Sequence, residues 1–270
     1  MSATPPRDWT TIHWPETDPA AASEWIAVLP LAATEQHGPH LPVGTDTFIA
    51  EAYLARVQAL LPGHVPASFL PVQSIGFSIE HIDYPGTVTL PYHVAIRHWM
   101  SLGESVARSG VKKLVMVTSH GGNSAPMAIV AQELRARLGM LAVTTNWHRF
   151  GTPEGLFPHE EIAHGIHGGA VETSIMLAAQ PDLVRKDKIA NFEPASVAMA
   201  REFRWLSPHR PAPFAWAAQD LHPSGVAGDA TLASADKGRQ LIEHGAKALC
   251  ELLADVHGFD MARLANRPAT

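Results

Sequence analysis

Residues 35–46 read Glu-Gln-His-Gly-Pro-His-Leu-Pro-Val-Gly-Thr-Asp. Pro39 and Pro42 rule out a helix there and force the chain into a stiff loop. Immediately upstream, Trp25-Ile-Ala-Val-Leu-Pro-Leu31 is a short, bulky apolar run that suits a buried strand. Extended geometry carried past Leu31 would turn Glu35 and His37 to one face, since alternate side chains of a strand share a side. The loop ends at Asp46, where Phe48-Ile-Ala-Glu-Ala-Tyr-Leu-Ala-Arg-Val opens a helical pattern. Two carboxylates and up to two imidazoles therefore gather at one strand end. Oxygen and nitrogen donors of this kind suit zinc, manganese or iron(II). Two plainer readings stand beside this one. Asp46 could cap the helix that follows it, and His40 could be a packed loop residue.

The same rhythm of strand, turn and helix recurs downstream. Ser68–Gln73 reads as a second strand. Pro91 starts a helix that runs to Ser109-Gly110. Lys112–Thr118 is the clearest strand, followed at once by Ser119-His-Gly-Gly-Asn123, a helix over 124–138 and another strand over 140–145. This is the pattern of a parallel sheet covered by helices, and such sheets collect ligands beyond the carboxyl ends of their strands. His120 holds that kind of position, as Glu35 does. Gly121-Gly122 has neither of the glycine spacings that cradle a nucleotide phosphate. A third group is His164-Gly-Ile-His-Gly-Gly-Ala-Val-Glu-Thr-Ser174, where glycines put His167 at a turn and Glu172 in the first turn of a helix. Glu172 there serves either the helix dipole or the same pocket.

Between these groups lie less regular stretches. Residues 74–89 mix Gly, Pro and bulky side chains with Glu80, His81 and Asp83, which fits either a pocket-shaping loop or an ordinary connection. Residues 181–223 carry Arg201, Arg204, Trp205, His209, Arg210 and Trp216 among several prolines, and read as a lid, an intersubunit arm or a solvated loop. A last helix spans about 234–257. The division read from this is an arm over 1–24, one domain over 25–257 and a tail over 258–270.

Composition narrows the function. A net charge of −6 with no basic block argues against a nucleic-acid partner. No stretch is apolar and long enough to span a bilayer, and the first residues lack an apolar signal core. The single cysteine, Cys250, excludes a disulfide within the chain. A cytoplasmic protein is expected.

Three signatures in order carry a family resemblance: Glu35-Gln-His-Gly-Pro-His-Leu-Pro with Thr45-Asp46, Ser119-His-Gly-Gly-Asn, and His167-Gly-Gly-Ala-Val-Glu-Thr-Ser. Together with Tyr84-Pro-Gly-Thr and Gly225-Val-Ala-Gly-Asp they resemble the creatininase (creatinine amidohydrolase) family over roughly 25–255. The resemblance implies a three-layer α/β domain, a two-metal hydrolytic site (Zn, Mn or Fe) and a homo-oligomer, often a hexamer. It implies Glu35, His37, Asp46 and His120 as ligands, with Asp46 bridging, Glu172 completing the shell and His167 moving the proton. Creatininase itself takes a ligand from a glutamate two residues after the histidine of the second signature, where this chain has Gly122. That makes Glu172 the more attractive carboxylate. Gly121, Gly122, Asn123 and Glu80 are read as substrate contacts.

The chemistry implied is hydrolysis of a small amide (cyclic amide, formamide or short peptide-like C–N bond) by a metal-bound water whose pKa falls from about 16 to about 7. Histidine, which changes charge near neutrality, suits the proton transfer. Creatinine hydrolysis proper and a mycofactocin-type peptide-processing peptidase are the alternative enzymes. A non-catalytic metal- or metabolite-binding protein is the alternative of a different class.

Overall fold

In the first strand, Ile26–Leu31 (β1), Ile26 and Val28 face one apolar layer while Ala27, Leu29 and Leu31 face another. Strand Lys113–Thr118 (the third in sequence, β3) repeats the division, with Val115 and Val117 on the first side and Leu114 and Met116 on the second. Both strands are buried along their whole length, which is why they read as unbroken apolar runs instead of alternating ones. The computed structural model describes residues 4–209 and 211–264. Its main sheet is all-parallel, in the order β2-β1-β3-β4, with β2 at Ala67–Phe69 and β4 at Leu141–Asn146. A three-layer α/β domain results.

On one side pack the helices Thr45–Leu60, Ala170–Ala179 and Ala235–Gly258 through Ile49, Tyr53, Val57, Met176, Leu249 and Leu253. On the other lie Tyr92–Arg108 and Ser124–Leu138, through Trp99, Val106, Met127 and Leu134. Burying each such side chain contributes about 1.5–3 kcal/mol. From β1 the chain steps to β2 on one side, and from β2 it crosses to β3 on the other. The β1–β3 junction is therefore the topological switch point, where a crevice opens at the carboxyl ends of open α/β sheets. The loops carrying Glu35 and His120 leave from there.

Two stretches are more ordered than their composition suggests. Within the 1–24 arm, short turns at Trp9–Thr11 and Trp14–Glu16 and a short helix at Pro19–Ala22 follow Arg7. The carbonyl of Arg7 accepts the Phe69 N–H at 2.8 Å, docking the arm on β2. The 181–223 stretch holds a helix, Ala195–Glu202, and a short strand, Asn191–Phe192, that pairs antiparallel with Gly228–Asp229. A helix at His159–His164 carries no clear periodic signal in the sequence. Arg210, residues 1–3 of the arm and residues 265–270 of the tail lie outside the described residues. Cys250 is half-buried on the last long helix with its thiol against the Val57 carbonyl. Among the described residues no helix is long and apolar enough to cross a membrane.

Candidate metal centre

The loop after β1 is held open by its own backbone. Glu35 N–H donates to the Val43 carbonyl at 3.0 Å, and Thr34 and Val88 form an antiparallel bridge. Gly38 has φ +72°, and a Cβ on it would sit 2.0 Å from Val226 Cγ2, so only glycine fits this turn. Asp46 does not cap the following helix. Gly44 is the N-cap, and Asp46 lies in the first turn with its carboxylate turned inward, 1% exposed. The end of β3 is tied to the same turn, since Ser119 Oγ donates to the Asp46 carbonyl at 2.8 Å.

Side chains far apart in sequence meet here. His120 Nδ1 is 3.1 Å from Glu35 Oε1 and 3.7 Å from Asp46 Oδ2. His37 Nε2 is 3.8 Å from Asp46 Oδ1 and 3.8 Å from Glu172 Oε2. His167 Nδ1 is 3.6 Å from Glu35 Oε1. All six residues are buried. Glu172 serves both of its readings at once: its Oε2 accepts the Gly168 N–H at 2.6 Å while facing His37.

Backbone carbonyls decide which ring nitrogens are free. A carbonyl only accepts, so the nitrogen beside it carries the proton. His37 Nδ1–H donates to the Glu35 carbonyl at 3.1 Å, leaving Nε2 bare. His120 Nε2–H donates to the Phe77 carbonyl at 2.9 Å, so Nδ1 is the nitrogen left to bind a cation once the ring is neutral. Both of these nitrogens face the carboxylates. Such outer hydrogen bonds are how metal-ligating histidines are oriented.

The donor set fits cations. Glu35 Oε1, His37 Nε2 and Asp46 Oδ2 are buried without a hydrogen-bond partner, which native proteins rarely tolerate. Ligand bonds of about 2.0–2.2 Å place two donors on one ion roughly 3–4 Å apart, the range of the separations above. Two groups able to hold an ion share Asp46: Glu35, Asp46 and His120, and His37, Asp46 and Glu172. A third group joins Glu35, His37 and His167.

Electrostatics points the same way. Burial and the neighbouring Glu35 push the Asp46 pKa well above the usual carboxylate range. Burial works to raise Glu35 as well, but His120, His81 and His167 hold it well below its ordinary value. Burial would depress His120, yet Glu35, Asp46 and Glu80 lift it to about 10. His37 falls to about 4, through burial and then the nearby His167. Three carboxylates in one buried space need positive charge among them.

A cavity of about 590 Å³ opens over the cluster. Glu80, Gly121 and Gly122 border it. Glu80 also stands behind His120, 3.5 Å from its Nε2. Asn123 does not reach the cavity. Its buried amide donates to the Ala32 carbonyl and Thr118 Oγ1 and accepts the Phe77 N–H, anchoring the 74–90 loop. His40, the other imidazole of the first loop, is likewise a packing residue, with Nε2 3.0 Å from the Gly168 carbonyl and its ring stacked on Phe192. His81 of the 74–89 stretch and His209 and Trp216 of the 181–223 stretch, none of them given a role from sequence, complete the walls with His148 and Arg149, which sequence reading did not single out. The place of His148 and Arg149 just beyond a strand's carboxyl end was a usable signal. Glu161 had none. Its two oxygens accept the Ala170 and Asp229 N–H groups at 2.8 Å each, joining the His167 turn to the late Gly-rich segment.

A family model for creatininase, described as creatinine amidohydrolase, matches residues 10–253. The mycofactocin precursor peptide peptidase of Mycobacterium ulcerans is 31% identical over 225 residues, covering 81% of this chain and 81% of that protein. The 3-dehydro-scyllo-inosose hydrolase of Thermotoga maritima is 28% identical over 248 residues, 86% of this chain and 77% of that one. A solved creatininase shares the fold with a TM-score of 0.75 at 24% identity, covering 94% of this chain and 99% of that chain. Related creatininase structures are described as a Zn-Zn type and a Mn form.

Proposed function

The chain belongs to the creatininase family, and on that premise we propose that it hydrolyses a C–N amide bond with two divalent cations held at the switch point of the sheet. The observation that carries this reading is the division of Asp46, whose Oδ1 faces His37 and whose Oδ2 faces His120. Glu35, Asp46 and His120 would hold one ion, and His37, Asp46 and Glu172 the other, with Asp46 between them. Nitrogen and oxygen donors of this type suit zinc, manganese or iron(II). Such ions, when bound, acidify water and polarise a carbonyl oxygen.

The chain's own groups do the rest. His167 Nε2–H is held by the Gln36 carbonyl at 2.7 Å, so Nδ1 is the atom that can take a proton. An attacking water yields its proton to Nδ1 as the C–O bond forms. Nδ1 returns that proton to nitrogen as the C–N bond breaks. Glu80, Gly121 and Gly122 form the substrate-facing wall, and Asn123 acts through the loop it anchors.

A cavity of about 590 Å³ is in the range that encloses drug-sized molecules. This favours an elaborated formamide, cyclic amide or short peptide, such as the relatives' peptidase name suggests, over creatinine. Gly122 argues the same way: a Cβ there would sit 2.4 Å from His120 Nε2, so no carboxylate side chain fits after His120. Cytoplasmic placement is supported by the lone, unpaired Cys250. Self-association is supported by Ile79, Ile82, Val88 and Tyr92, each 48–61% exposed on one loop and helix start.

The test is to strip the protein of metal, reload it with zinc or manganese and assay a panel of formamides, lactams and dipeptides. Turnover restored by metal supports the proposal. Undiminished turnover in the metal-free protein overturns it, and bound metal without any turnover favours a binding protein on this scaffold.

A further inference from the structure

One imidazole at the centre has no place among the ligands or the proton shuttle. His81 is 2% exposed and borders the cavity. Its ring lies 4.2 Å from that of His167, which in turn lies 4.2 Å from that of His37, so His167 is flanked by imidazoles on both sides.

The Gln36 amide determines the protonation of His81. Gln36 Oε1 accepts the Gly38 N–H at 2.8 Å, and Nε2 donates to the Gly225 carbonyl at 2.9 Å. Those two partners leave the amide one orientation. The second Nε2 proton then points at His81 Nδ1, 2.7 Å away. Nδ1 must accept, so the proton of the neutral ring sits on Nε2. Gly225 is part of this arrangement: it has φ +79°, and a Cβ on it would meet the Gln36 amide at 2.5 Å.

His81 Nε2–H faces Glu35 Oε1 at 3.6 Å, too far for a hydrogen bond. Among the described residues no other acceptor is recorded for it. A fixed donor, unspent and bordering the cavity, sits beside the His167 Nδ1 lone pair. Both atoms are 3.6 Å from the same carboxylate oxygen. An amide presents an acceptor oxygen next to the nitrogen that must be protonated, so this donor–acceptor pair matches it.

We propose that His81 is a catalytic residue whose Gln36-locked Nε2–H donates a hydrogen bond to the oxygen of the bound carbonyl group. This rests on the amidohydrolase reading above. No proton leaves His81. As water adds, the carbonyl π pair moves to oxygen, where the Nε2–H stabilises it. As the C–N bond breaks, that pair re-forms the carbonyl, and His167 alone carries the proton. A preorganised donor of this kind is worth about 10²–10³-fold in kcat.

The test begins without turnover. In zinc-loaded protein labelled with ¹⁵N-histidine, His81 should show a protonated Nε2 and a bare Nδ1, and added formate should move the Nε2–H resonance downfield. With ¹¹³Cd in place of zinc, His37 Nε2 and His120 Nδ1 should couple to the metal, and His81 should not. Coupling at His81, a bare Nε2 or a resonance unmoved by formate overturns the proposal. Gln36→Glu, which removes the donor facing Nδ1, should shift the proton to Nδ1.

On an amide that the wild type cleaves, His81→Ala should lower kcat by about 100-fold or more with metal content intact and KM within a few-fold. His81→Gln, which restores an N–H donor, should recover part of the loss. Unchanged kcat in His81→Ala overturns the donor role. A wild-type protein that cleaves no amide on the panel sinks the amidohydrolase reading, while the formate response still decides whether His81 binds carbonyl-type oxygen.

Discussion

His167 Nε2–H donates to the Gln36 carbonyl at 2.7 Å, and these residues are 131 positions apart. The contact leaves Nδ1 as the ring's one basic atom and aims it at Glu35. Replacing His167 by Ala should lower kcat by about 10²–10⁴-fold. Metal content, read by elemental analysis, should stay near wild type. Loss of both ions in this variant would instead make His167 a ligand.

Asp46 and Glu172 should differ in how many ions they hold. Asp46 faces both groups and Glu172 only one. Asp46→Ala should therefore bind neither ion tightly, while Glu172→Gln should retain about half of the wild-type metal. Titration of the metal-free variants with zinc reads this directly, and equal stoichiometries would remove Asp46 from its bridging position.

Two adjacent glycines should respond in opposite ways to alanine. At Gly122 a Cβ would meet His120 Nε2 at 2.4 Å, Glu80 Oε1 at 2.6 Å and the Phe77 carbonyl at 2.8 Å; at Gly121 nothing lies within 4 Å. Gly122→Ala should cost about 1–3 kcal/mol and weaken metal binding on the His120 side. Gly121→Ala should leave thermal stability and metal content unchanged. Denaturant melts of the two proteins make the comparison.

Metal uptake should release protons. In the metal-free protein burial opposes the charge on His120, but Glu35, Asp46 and Glu80 overcome it and bring the pKa to about 10. Below that value the ring is charged, and Nδ1 must lose its proton before it can donate to a cation. Affinity should therefore rise with pH, by about tenfold per unit for each proton released. Calorimetry in buffers of different ionisation enthalpy counts these protons, and a count of zero would contradict the assignment of His120.

Arg7 should matter for stability and not for catalysis. Its guanidinium donates to the carbonyls of Val65, Ala67, Leu61 and Pro62, at 2.7, 3.0, 3.3 and 2.8 Å. Arg7→Ala leaves the end of the Thr45–Leu60 helix and the start of β2 without these donors. It should cost about 1–3 kcal/mol, read as a lower midpoint in thermal unfolding. The metal stoichiometry should not change.

Much of this architecture was written locally. Runs such as Ile26–Leu31 and Lys113–Thr118 read as buried strands from their bulky apolar side chains, and the Gly- and Pro-containing segments after them read as loops at strand ends. Because parallel strands align their carboxyl ends, Glu35 and His120 were bound to emerge on the same edge of the sheet. Tertiary packing decided what local pattern leaves open. It turned Asp46 inward instead of onto its own helix end, and it tied Asn123 into the anchoring of a loop, away from the lining of the cavity. It also drew His81 out of an irregular loop to the centre of the site. The physical reason is that the proton on an imidazole follows the group it faces. For His81 and His167 that group is Gln36, which residue spacing alone does not bring near either of them.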